Sequence, residues 1–566
     1  MIGVVAVTSA GRTMARRLAE AWPGEVKLHS GPAADQVRAA WDACDTLVCF
    51  LATGATVRLL APLLSGKHSD PGVVCVDEAG RHAIAMLGGH AGGANALAGR
   101  VAEALGARPV VSTATDATGG TPLDSFGADL GFRLADPANL ARVGRAVLDG
   151  EPVRVVADAT WPLPPLSTVD GEGATVIAVS DRAAVAADLV YRPPSLVVGV
   201  GASRTAPAEQ IEALIEAGLA EAGLAAESVR ALGTIDLKAG EPGIVEVARR
   251  HGWPLVTFTA GELSAVPVPN PSEVVREAVG TPSVAEAAAL LGARAAGRDA
   301  GLVLPKRAGT MATVALARLV PRGRLVIVGL GPGAEDLRTP RATEALRRAA
   351  VVVGLDQYVE QIRHVLRPGT RVLSSGLGAE EERARTAVEL ATAGHSVALI
   401  GSGDAGVYAM ASPALQLAGA DVDIEAVPGV TAALAAAALL GAPLGHDHAY
   451  LSLSDLHTPW PVIAGRLDAC AGADLVLCLY NPRSARRTAQ FDEALGIIGK
   501  HRAPDTPVGV VRDASRPGQR CLRVSLAELA ADPSIVDMRS MVVVGSGRTT
   551  TIAGRMVTPR EYRWLS

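Results

Sequence analysis

Short runs of β-branched and aliphatic residues alternate along the chain with segments rich in Ala, Leu, Glu and Arg. The apolar runs lie at 2–7, 46–51, 72–77, 107–113, 175–180, 195–201, 325–331, 351–355, 396–403, 475–481, 508–513 and 541–547. Continuous apolar strands separated by helical segments are typical of parallel sheets covered by helices on both faces. The pattern therefore predicts an α/β fold throughout the chain.

Proline and glycine mark the breaks between the predicted domains. The segments WPLPPLSTVDGEG, YRPPS and LVPRGR have the composition of loops, and the last of them precedes a new strand. The predicted domains are an α/β domain at 1–130, a small middle region at 131–194, a second α/β domain at 195–318 and a large C-terminal domain at 324–550.

The amino-acid composition indicates a folded protein and disfavours two classes of partner. A chain of 566 residues with 49% hydrophobic and 20% charged residues has ample material for several packed cores, which excludes a disordered chain. The balance of 53 Lys and Arg against 58 Asp and Glu, with 3% aromatic residues, does not favour nucleic acid or a membrane surface as a partner. Any anionic ligand must therefore be held by local basic clusters.

The cysteines and the apolar segments argue for a reduced, intracellular environment. The six cysteines form no CxxC pair and have no histidine at zinc-finger spacing, so neither a disulfide framework nor a bound metal is expected. The N-terminus has no basic segment before its apolar run, and the uncharged stretch 426–445 is interrupted by proline and glycine. We therefore expect a cytoplasmic protein with no membrane partner.

Loops with glycine or polar residues follow the apolar strands of the C-terminal domain. They are GLGPG (329–333), GSGDAGVYAM (401–410), EAVPGVTAAL (425–434), YLSLSDLHTPW (450–460), LYNPRS (479–484) and VRDASRPGQ (511–519). Ligands of open α/β sheets bind at the carboxyl ends of the strands. The GLGPG loop alone fits either a phosphate-binding turn or a structural tight turn, but no Walker lysine follows it.

This ordered series resembles the tetrapyrrole (precorrin) methyltransferase superfamily, which uses S-adenosyl-L-methionine. Within it, GDAG, SLSDL-TPW and LYNP are similar to the precorrin-3B C17-methyltransferase (CobJ/CbiH) branch. The resemblance covers about residues 324–550 and implies a two-lobed methyltransferase fold, a precorrin or cobalt-precorrin substrate and a homodimer.

The resemblance also implies a set of cofactor-binding residues. They are Pro332, Ser402, Gly403, Asp404, Val407, Thr431, Ala432, Tyr480 and Ala514. The wider superfamily usually has proline where this chain has Ala405 and glycine where it has Ala409. The first difference matches the C17 branch, whereas the second leaves the shape of the loop open.

Methyl transfer from a sulfonium needs positioning and exclusion of water more than side-chain catalysis. The resemblance also implies a ring contraction that accompanies C17 methylation, and Asp455 and His457 are the candidate acid or base for that step. The alternative is that Asp455 caps the next turn and His457 is a surface residue. Arg483, together with Arg486 and Arg487, either pairs with substrate carboxylates or forms a solvated charge cluster.

The N-terminal domain has its densest pattern of glycine between residues 51 and 116. A turn at Glu78–Gly80 is predicted to join two strands, and GGHAGGAN then opens a helix in which Asn95 is a polar group of the first turn. His90 lies among four glycines, where it either performs acid/base chemistry or bonds to a loop carbonyl. No GxSxG or HExxH sequence is present.

This region resembles the cobalt-precorrin-5A hydrolase (CbiG) family through its DP-VVCVDE-G, GGH-GGAN and TATD segments, and residues 233–318 are similar to that family's C-terminal domain. The resemblance implies hydrolytic opening of a δ-lactone with release of acetaldehyde. Such chemistry needs an activated water, an oxyanion site and recognition of carboxylate arms. One departure is the sequence Ala202 to Thr205, where many relatives have Cys-Arg-Arg-Gly.

The candidate residues for this reaction each have a plain structural alternative. His90 is the candidate general base, Asp77 and Glu78 are alternative acid/base groups, and the N–H groups of residues 88–93 are candidate oxyanion donors. Candidate ligands of substrate carboxylates are Arg58, Lys238 and Lys306, while Glu241 and Glu286 are expected to pair with neighbouring basic groups.

The sequence therefore predicts a bifunctional enzyme of corrin-ring construction, with a C17-methyltransferase fused to an acetaldehyde-releasing hydrolase. Two alternatives stay open at this point. In one, only the C-terminal half is catalytic and the N-terminal half is a tetrapyrrole-binding module. In the other, the methyltransferase acts on a different precorrin carbon, which the GDAG and SDL-TPW segments disfavour.

Overall fold

The computed structural model describes residues 1–66, 69–169, 171, 173–484 and 487–560. The described chain forms two compact units, the first made of residues 1–159, 166–321 and 367–369, the second of 160–165, 322–366 and the chain from 370. Helices and strands alternate in both units, which confirms the α/β class. In the described residues, every helix is too short or too polar to cross a bilayer. The division into four domains stays a prediction.

The first unit begins with a mixed sheet covered on both faces. Its elements are β1 (Ile2–Ala6), α1 (Ser9–Ala21), β2 (Val26–Leu28), α2 (Ala33–Ala43), β3 (Thr46–Phe50), α3 (Thr53–Leu60), β4 (Gly72–Val76), β5 (His82–Leu87), α4 (Ala94–Leu105), β6 (Arg108–Val110) and α5 (Ala114–Thr118). The strand order is β2-β1-β3-β4-β5-β6. Helices α1 and α4 cover one face, and α2 and α3 cover the other. Alternate strand residues enter the two cores, as the continuous apolar runs predict.

A change of strand direction occurs within this sheet. Strand β5 is antiparallel to β4 but parallel to β6, so β5 and β6 run against the first four strands. The turn between β4 and β5 includes Gly80 at φ +65°, with its N–H donating to the Asp77 carbonyl at 2.8 Å. The predicted turn at Glu78–Gly80 is therefore confirmed, and it brings the carboxyl ends of β5 and β6 to the edge opposite that of β4.

Two further sheets complete the first unit. The middle sheet has the order β7-β10-β9-β8, and the next has the order β13-β12-β11-β15-β14. Their elements are β7 (Arg133–Leu134), α6 (Leu140–Asp149), β8 (Val153–Ala157), β9 (Thr175–Val179), β10 (Leu189–Arg192), β11 (Leu196–Ala202), α7 (Ala208–Ala222), β12 (Val229–Ile235), α8 (Pro242–His251), β13 (Leu255–Phe258), α9 (Ala260–Ser264), α10 (Glu273–Val279), α11 (Ala285–Ala296), β14 (Asp299–Ala308) and β15 (Ala312–Val320). Strands β11, β12 and β13 are parallel, whereas β14 and β15 form an antiparallel hairpin.

The second unit opens with a parallel sheet of order β18-β17-β19-β16-β20. Its elements are β16 (Gly323–Gly329), α12 (Pro340–Arg348), β17 (Val351–Leu355), α13 (Asp356–Ile362), β18 (Arg371–Ser375), α14 (Glu380–Thr392), β19 (Ser396–Gly401), α15 (Ala411–Leu417), β20 (Val422–Val427) and α16 (Ala432–Leu440). Strand β19 is buried along its whole length, and separate cores lie on the two faces of the sheet. The parallel prediction is thus confirmed for this sheet.

The remaining strands of the second unit are mostly antiparallel. The larger sheet has the order β22-β23-β26-β24-β25, and a small sheet has the order β21-β28-β27. Their elements are β21 (Gly441–Ala442), β22 (His448–Ser452), α17 (Trp460–Gly472), β23 (Val476–Tyr480), α18 (Ala489–Gly499), β24 (Pro507–Arg512), β25 (Arg520–Ser525), α19 (Leu526–Ala531), β26 (Ser540–Val544), β27 (Thr550–Ile552) and β28 (Arg555–Val557). Only β22 and β23 pair in parallel within the larger sheet, among the described residues. The expectation of parallel sheets was wrong here, because a strand buried on both faces gives no sign of its direction.

Short 3-10 turns connect several of these elements. They are Ala61–Leu63, Leu123–Ser125, Ala128–Leu130, Ala226–Ser228, Asp236–Lys238, Glu335–Leu337, Arg363–Val365 and Pro533–Ile535.

Candidate functional site

The loops after β16 and β19 are joined through their main chains. The N–H of Gly331 donates to the Gly403 carbonyl at 3.0 Å, and the N–H of Gly403 donates back to Gly331 at 2.8 Å. A Cβ added at Gly429, in the loop after β20, would lie 2.2 Å from the Gly403 oxygen. These three loops follow neighbouring parallel strands, and only residues without a side chain permit such close approach. The glycine motifs therefore build one compact edge of the sheet.

Asp404 fastens this edge with both of its carboxylate oxygens. Oδ1 accepts the N–H of Gly406 at 2.8 Å, and Oδ2 accepts the N–H of Gly429 at 3.0 Å. The first bond shapes the loop after β19, and the second ties that loop to the one after β20. In this structure Asp404 positions the main chain of two loops predicted to hold the cofactor.

Tyr480 connects the end of β23 to the start of α16. Its hydroxyl lies 2.6 Å from Thr431 Oγ1 and accepts the N–H of Ala433 at 3.3 Å. The side chain is 9% exposed, and burial raises the pKa of Tyr480 to about 12. The hydroxyl therefore stays protonated at neutral pH and serves as a hydrogen-bonding group.

Predicted cofactor residues from separate loops meet around Tyr480. Val407, Ala432 and Ala514 pack against the core cluster that contains this tyrosine. The Tyr408 and Tyr450 rings lie 5.2 and 5.7 Å from the Tyr480 ring, measured between centroids. The structure therefore brings residues from four segments of the sequence onto one surface.

The sequence left the shape of the GDAGVYAM loop open, and in the structure the loop turns at Tyr408. Tyr408 has φ +52°, a left-handed conformation that is uncommon outside glycine, and its hydroxyl donates to the Tyr450 carbonyl at 2.8 Å. Ala409 follows it, and Ala405 is 3% exposed. The left-handed turn thus falls on Tyr408, one residue before the position where relatives usually have glycine.

Arg516 is a residue that the sequence reasoning did not single out. Its Nε donates to the Pro332 carbonyl at 2.6 Å, and its Nη2 donates to Ser402 Oγ at 2.8 Å. The arginine therefore binds two of the predicted cofactor residues from a third loop. Arg516 lies in the RDASRPG loop that follows a strand, and this position at a strand end could have marked it as a candidate site residue.

Asp455 and His457 lie in the loop after β22, whose strand pairs in parallel with β23. Asp455 accepts the Gln490 side-chain N–H at 2.9 Å and lies 3.8 Å from Arg487 Nε. His457 is exposed. Asp455 is thus held by neighbours on the same edge as Tyr480, while His457 faces solvent.

The arginines near this loop have different surroundings. Arg487 is buried and donates to the carbonyls of Leu453 and Asn481, the latter at 2.7 Å, so it stabilises the loop. Arg483 donates to the Pro533 carbonyl at 3.1 Å and lines a separate cleft. Arg486 lies outside the described residues.

In the first unit, the parallel pairing of β5 and β6 brings two motifs together. His90 follows β5, Asp116 follows β6, and His90 Nε2 lies 3.2 Å from Asp116 Oδ2 without the alignment of a hydrogen bond. Asp116 Oδ2 also accepts the side-chain N–H of Asn95 at 2.8 Å and the hydroxyl of Thr113. This arrangement is a histidine–carboxylate pair in which further hydrogen bonds fix the carboxylate.

Glycine allows this pair to form next to β4. A Cβ at Gly72 would lie 2.0 Å from the Gly92 carbonyl oxygen, and Gly88 has φ +62°. The N–H of Gly93 donates to the His90 carbonyl at 3.0 Å, so that candidate oxyanion donor is already engaged. The glycines therefore hold the histidine loop tightly against the sheet.

A cavity of about 350 Å³ lies beside the histidine. His90, Thr113 and Thr115 line it on one side, and Arg145 of α6 lies on another. A largely shielded histidine, 14% exposed at its side chain, facing a carboxylate at the wall of a cavity can take a proton from water. Asp116, Asn95 and Arg145 were not predicted as site residues, although the TATD and GGAN segments contain the first two.

Asp77 and Glu78 lie at the other end of β4 from His90. Five strand residues at about 3.3 Å each separate Gly72 from that turn, a span of about 16 Å. Asp77 accepts the N–H of His82 at 2.6 Å; burial opposes ionisation, but the N–H donors of His82 and Arg81 hold the pKa of Asp77 below its usual range. Glu78 is exposed. The structure does not bring these carboxylates to His90.

None of the three candidate ligands of substrate carboxylates in the first unit lines the His90 cavity. Lys238 and Lys306 line a second cavity, in the sheet that contains β11. Arg58 donates to the Gly54 carbonyl of its own helix at 2.9 Å. Glu241 pairs with Lys238 at 3.0 Å, as expected, and that hydrogen bond lowers the pKa of Glu241. Glu286 instead accepts N–H groups of Asn270 and the main-chain N–H of Lys306.

The described residues contain no cluster of three or more His, Cys, Asp or Glu side chains that could hold a metal ion.

The matches to known protein families divide between the two compact units. Residues 324–530 match the family model described as Tetrapyrrole (Corrin/Porphyrin) Methylases. Residues 35–116 match Cobalamin synthesis G N-terminal, and residues 196–317 match Cobalamin synthesis G C-terminus.

Individual relatives match the two parts separately. A protein of Salmonella typhimurium named probable cobalt-factor III C(17)-methyltransferase is 44% identical over 42% of this chain and 99% of its own length. A protein of Priestia megaterium named cobalt-precorrin-5A hydrolase is 33% identical over 52% of this chain and 84% of its own. Cobalamin biosynthesis protein CbiHC of Archaeoglobus fulgidus is 41% identical over 43% of this chain, which spans only 54% of that relative.

These matches define the class of protein. The chain belongs to the tetrapyrrole methylase family through its second unit and to the cobalamin synthesis G family through its first.

Proposed function

We propose that the chain is a bifunctional enzyme of cobalamin biosynthesis. Its second unit methylates C17 of precorrin-3B or cobalt-precorrin-3 with ring contraction, and its first unit opens the δ-lactone of cobalt-precorrin-5A with release of acetaldehyde. The observation that carries the proposal is the match of this chain to 99% of one relative and 84% of another, each named for one of the two activities.

S-adenosyl-L-methionine is the proposed methyl donor, and the residues at the loop edge fit it. Hydroxyls of Thr431 and Tyr480 and main-chain groups of the glycine loops suit the adenosine part, with the Arg516 guanidinium available to a carboxylate. When bound, the cofactor supplies an electrophilic methyl group. Pro332, Ser402, Gly403, Asp404, Val407, Thr431, Ala432, Tyr480 and Ala514 would hold it.

The protein's own contribution to methylation is orientation and exclusion of water. The loop edge is fixed by main-chain bonds and by Asp404, so little reorganisation is needed when ligands bind. Asp455, which is held by Gln490 on the same edge as Tyr480, is the proposed acid or base for ring contraction. His457 is the alternative.

In the hydrolase reaction, His90 is the proposed general base. It accepts a proton from water as the water oxygen bonds to the lactone carbonyl carbon, and the ring C–O bond then breaks to give a carboxylic acid and an alkoxide. The alkoxide oxygen becomes the carbonyl oxygen of acetaldehyde as the C–C bond to the macrocycle breaks. The electron pair of that bond stays with the macrocycle, which takes up the proton. Asp116 orients the imidazole and stabilises its charged form. Arg145, on the wall of the same cavity, is the proposed partner of a substrate carboxylate.

The methyltransferase half is tested by incubating the full chain with S-adenosyl-L-methionine and the C17-unmethylated precursor, with and without cobalt. Mass spectrometry should show the gain of one methyl group, and product NMR should place it at C17. A methyl group on another carbon would contradict the C17 assignment while leaving the methylase family intact.

The hydrolase half is tested by adding cobalt-precorrin-5A and trapping acetaldehyde. Release at a rate that depends on His90 supports the proposal. The competing function is a tetrapyrrole-binding module without catalysis, and it predicts ligand binding by the first unit with no acetaldehyde.

A further inference from the structure

The second cavity of the first unit lies at the place where open α/β sheets bind ligands. Its volume is about 510 Å³, within the range of small-molecule sites. The ends of β11 and β12 line it through Ala202, Ser203 and Ile235, together with Ala285, the first residue of α11. The carboxyl ends of parallel strands and a helix N-terminus thus meet at one cavity.

The lining of this cavity is apolar with a cationic edge. Ile235, Val275 and Met311 supply part of the apolar wall. Among the described residues that line it, Lys238 and Lys306 are the ionisable ones. Such a wall suits a ligand with an apolar body and a negatively charged end.

The two lysines differ in how their charges are compensated. Lys238 forms an ion pair with Glu241 at 3.0 Å. The ammonium of Lys306 donates to the main-chain carbonyl of Asn270 at 3.0 Å, a neutral partner. The fully buried Glu286 accepts three N–H groups nearby, one of them the main-chain N–H of Lys306. Lys306 therefore has positive charge available for an anion.

Ser283 supplies an independent sign of an unmet polar interaction. It is 3% exposed, lines the cavity two residues before the start of α11, and its Oγ has no hydrogen-bond partner among the described residues. Buried hydroxyls without partners are uncommon and unfavourable. A ligand oxygen at this wall would satisfy it.

We propose that this cavity binds one carboxylate arm and the adjoining ring edge of the tetrapyrrole, with Lys306 and Ser283 as its polar ligands and Lys238 beside them. The inference rests on the proposed function, which supplies a substrate with an apolar ring and several carboxylate arms. The cavity is separate from the one beside His90, so it recognises the substrate rather than reacting with it.

Lysine acetylation offers a direct test, because the chain contains five lysines. The full chain is treated with an amine-acetylating reagent at increasing concentrations of uroporphyrin III, a tetrapyrrole octacarboxylate, and each lysine is quantified by mass spectrometry. We expect Lys306 and Lys238 to become protected several-fold, with the exposed Lys27 and Lys500 unchanged. Uniform protection, or protection of neither cavity lysine, would overturn the proposal.

Variants separate this site from tetrapyrrole binding in the second unit. The uroporphyrin concentration that half-protects Lys238 should rise about tenfold in Lys306→Met and about threefold in Ser283→Ala, and stay the same in Lys27→Met. Circular dichroism confirms folding, and Ser283→Ala keeps the test valid if Lys306→Met is misfolded. If uroporphyrin fluorescence shows binding but the cavity lysines are unprotected, this inference fails while the proposed function stands. If uroporphyrin does not bind at all, this inference fails, and the two activity assays above decide the proposed function separately.

Discussion

The loop edge of the second unit and the His90 cavity of the first unit are built by different means. The loop edge consists of main chain against main chain, with Gly331 and Gly403 bonded to each other and Asp404 accepting two N–H groups. The His90 cavity depends on side chains, because Asp116, in the helix that follows β6, faces His90 Nε2 at 3.2 Å. Under the proposed function, this difference means that the loop edge positions the reactants, whereas the His90 cavity transfers protons.

The largest effect should come from removing the histidine of the side-chain site. His90→Ala is expected to slow acetaldehyde release by about 100- to 10,000-fold, since it removes the proposed general base. C17 methylation by the same preparation, followed by mass spectrometry, should be unchanged. His82→Ala is the matched control, because His82 lies at the opposite end of β5. Equal activity of the two variants would refute the assignment of His90.

The main-chain site should instead be most sensitive to added bulk. In Gly429→Ala the new Cβ would meet the main-chain oxygens of Gly403 and Gly329 at 2.2 and 2.7 Å, so the loops must separate. We expect about a tenfold to hundredfold loss of S-adenosyl-L-methionine affinity by calorimetry. Gly419→Ala is the control, because a Cβ there meets nothing within 4 Å. Similar affinities for the two variants would show that the loop edge is not the cofactor site.

Removal of one hydroxyl from the loop edge should have a smaller effect. Tyr480→Phe keeps the ring but loses the bonds to Thr431 and to the Ala433 N–H. We expect about fivefold weaker binding of S-adenosyl-L-methionine, corresponding to about 1 kcal/mol. Tyr358→Phe, in α13, is the control. An unchanged affinity in Tyr480→Phe would place the cofactor elsewhere.

A strained residue of the first unit offers a gain in stability. Thr205 has φ +65°, a left-handed conformation that favours glycine, and its N–H donates to Glu241 at 2.7 Å. Thr205→Gly should stabilise the first unit by about 1 kcal/mol, since glycine adopts this conformation without strain. Thermal unfolding should show a rise of about 2 °C in Tm. A fall in Tm would mean that the Thr205 side chain matters more than the strain.

The smallest expected effect is on the pH dependence of thermal stability. Hydrogen bonds from Arg324 and Arg341 hold the pKa of Glu425 below its usual range. A lowered folded pKa stabilises the protein above the unfolded value of about 4.3, and this stabilisation disappears as the pH falls through the lowered pKa. The Tm difference between the wild type and Glu425→Gln should therefore be largest at pH 7 and shrink below about pH 4. A constant difference would exclude ionisation as its cause.

The same contrast explains what the sequence could predict. Glycine motifs at strand ends indicated the loop edge correctly, because the glycine itself is the structural requirement. The partners of a side-chain site depend on strand pairing. The sequence contains Asp116 and Asn95 within its motifs, but only the parallel pairing of β5 and β6 shows that they lie beside His90. Arg516 was missed for the same reason, since it contacts residues more than a hundred positions away.

Strand direction was the other property that the sequence did not define. Each apolar run overlaps a strand of the structure, although more than half of the described strands lie outside these runs. Strands β24 and β26 pair antiparallel although their runs look like those of the parallel sheet. Both kinds are buried on two faces, and the same aliphatic composition serves either direction.

The reversal between β4 and β5 gives one sheet two working rims. Loops after β1, β3 and β4 lie at one rim, and the loops carrying His90 and Asp116 lie at the other. Because buried strands about five residues long separate the two rims, a substitution at one rim does not contact the other. A chain of this design can acquire a new specificity at one rim while natural selection keeps the chemistry of the opposite rim intact.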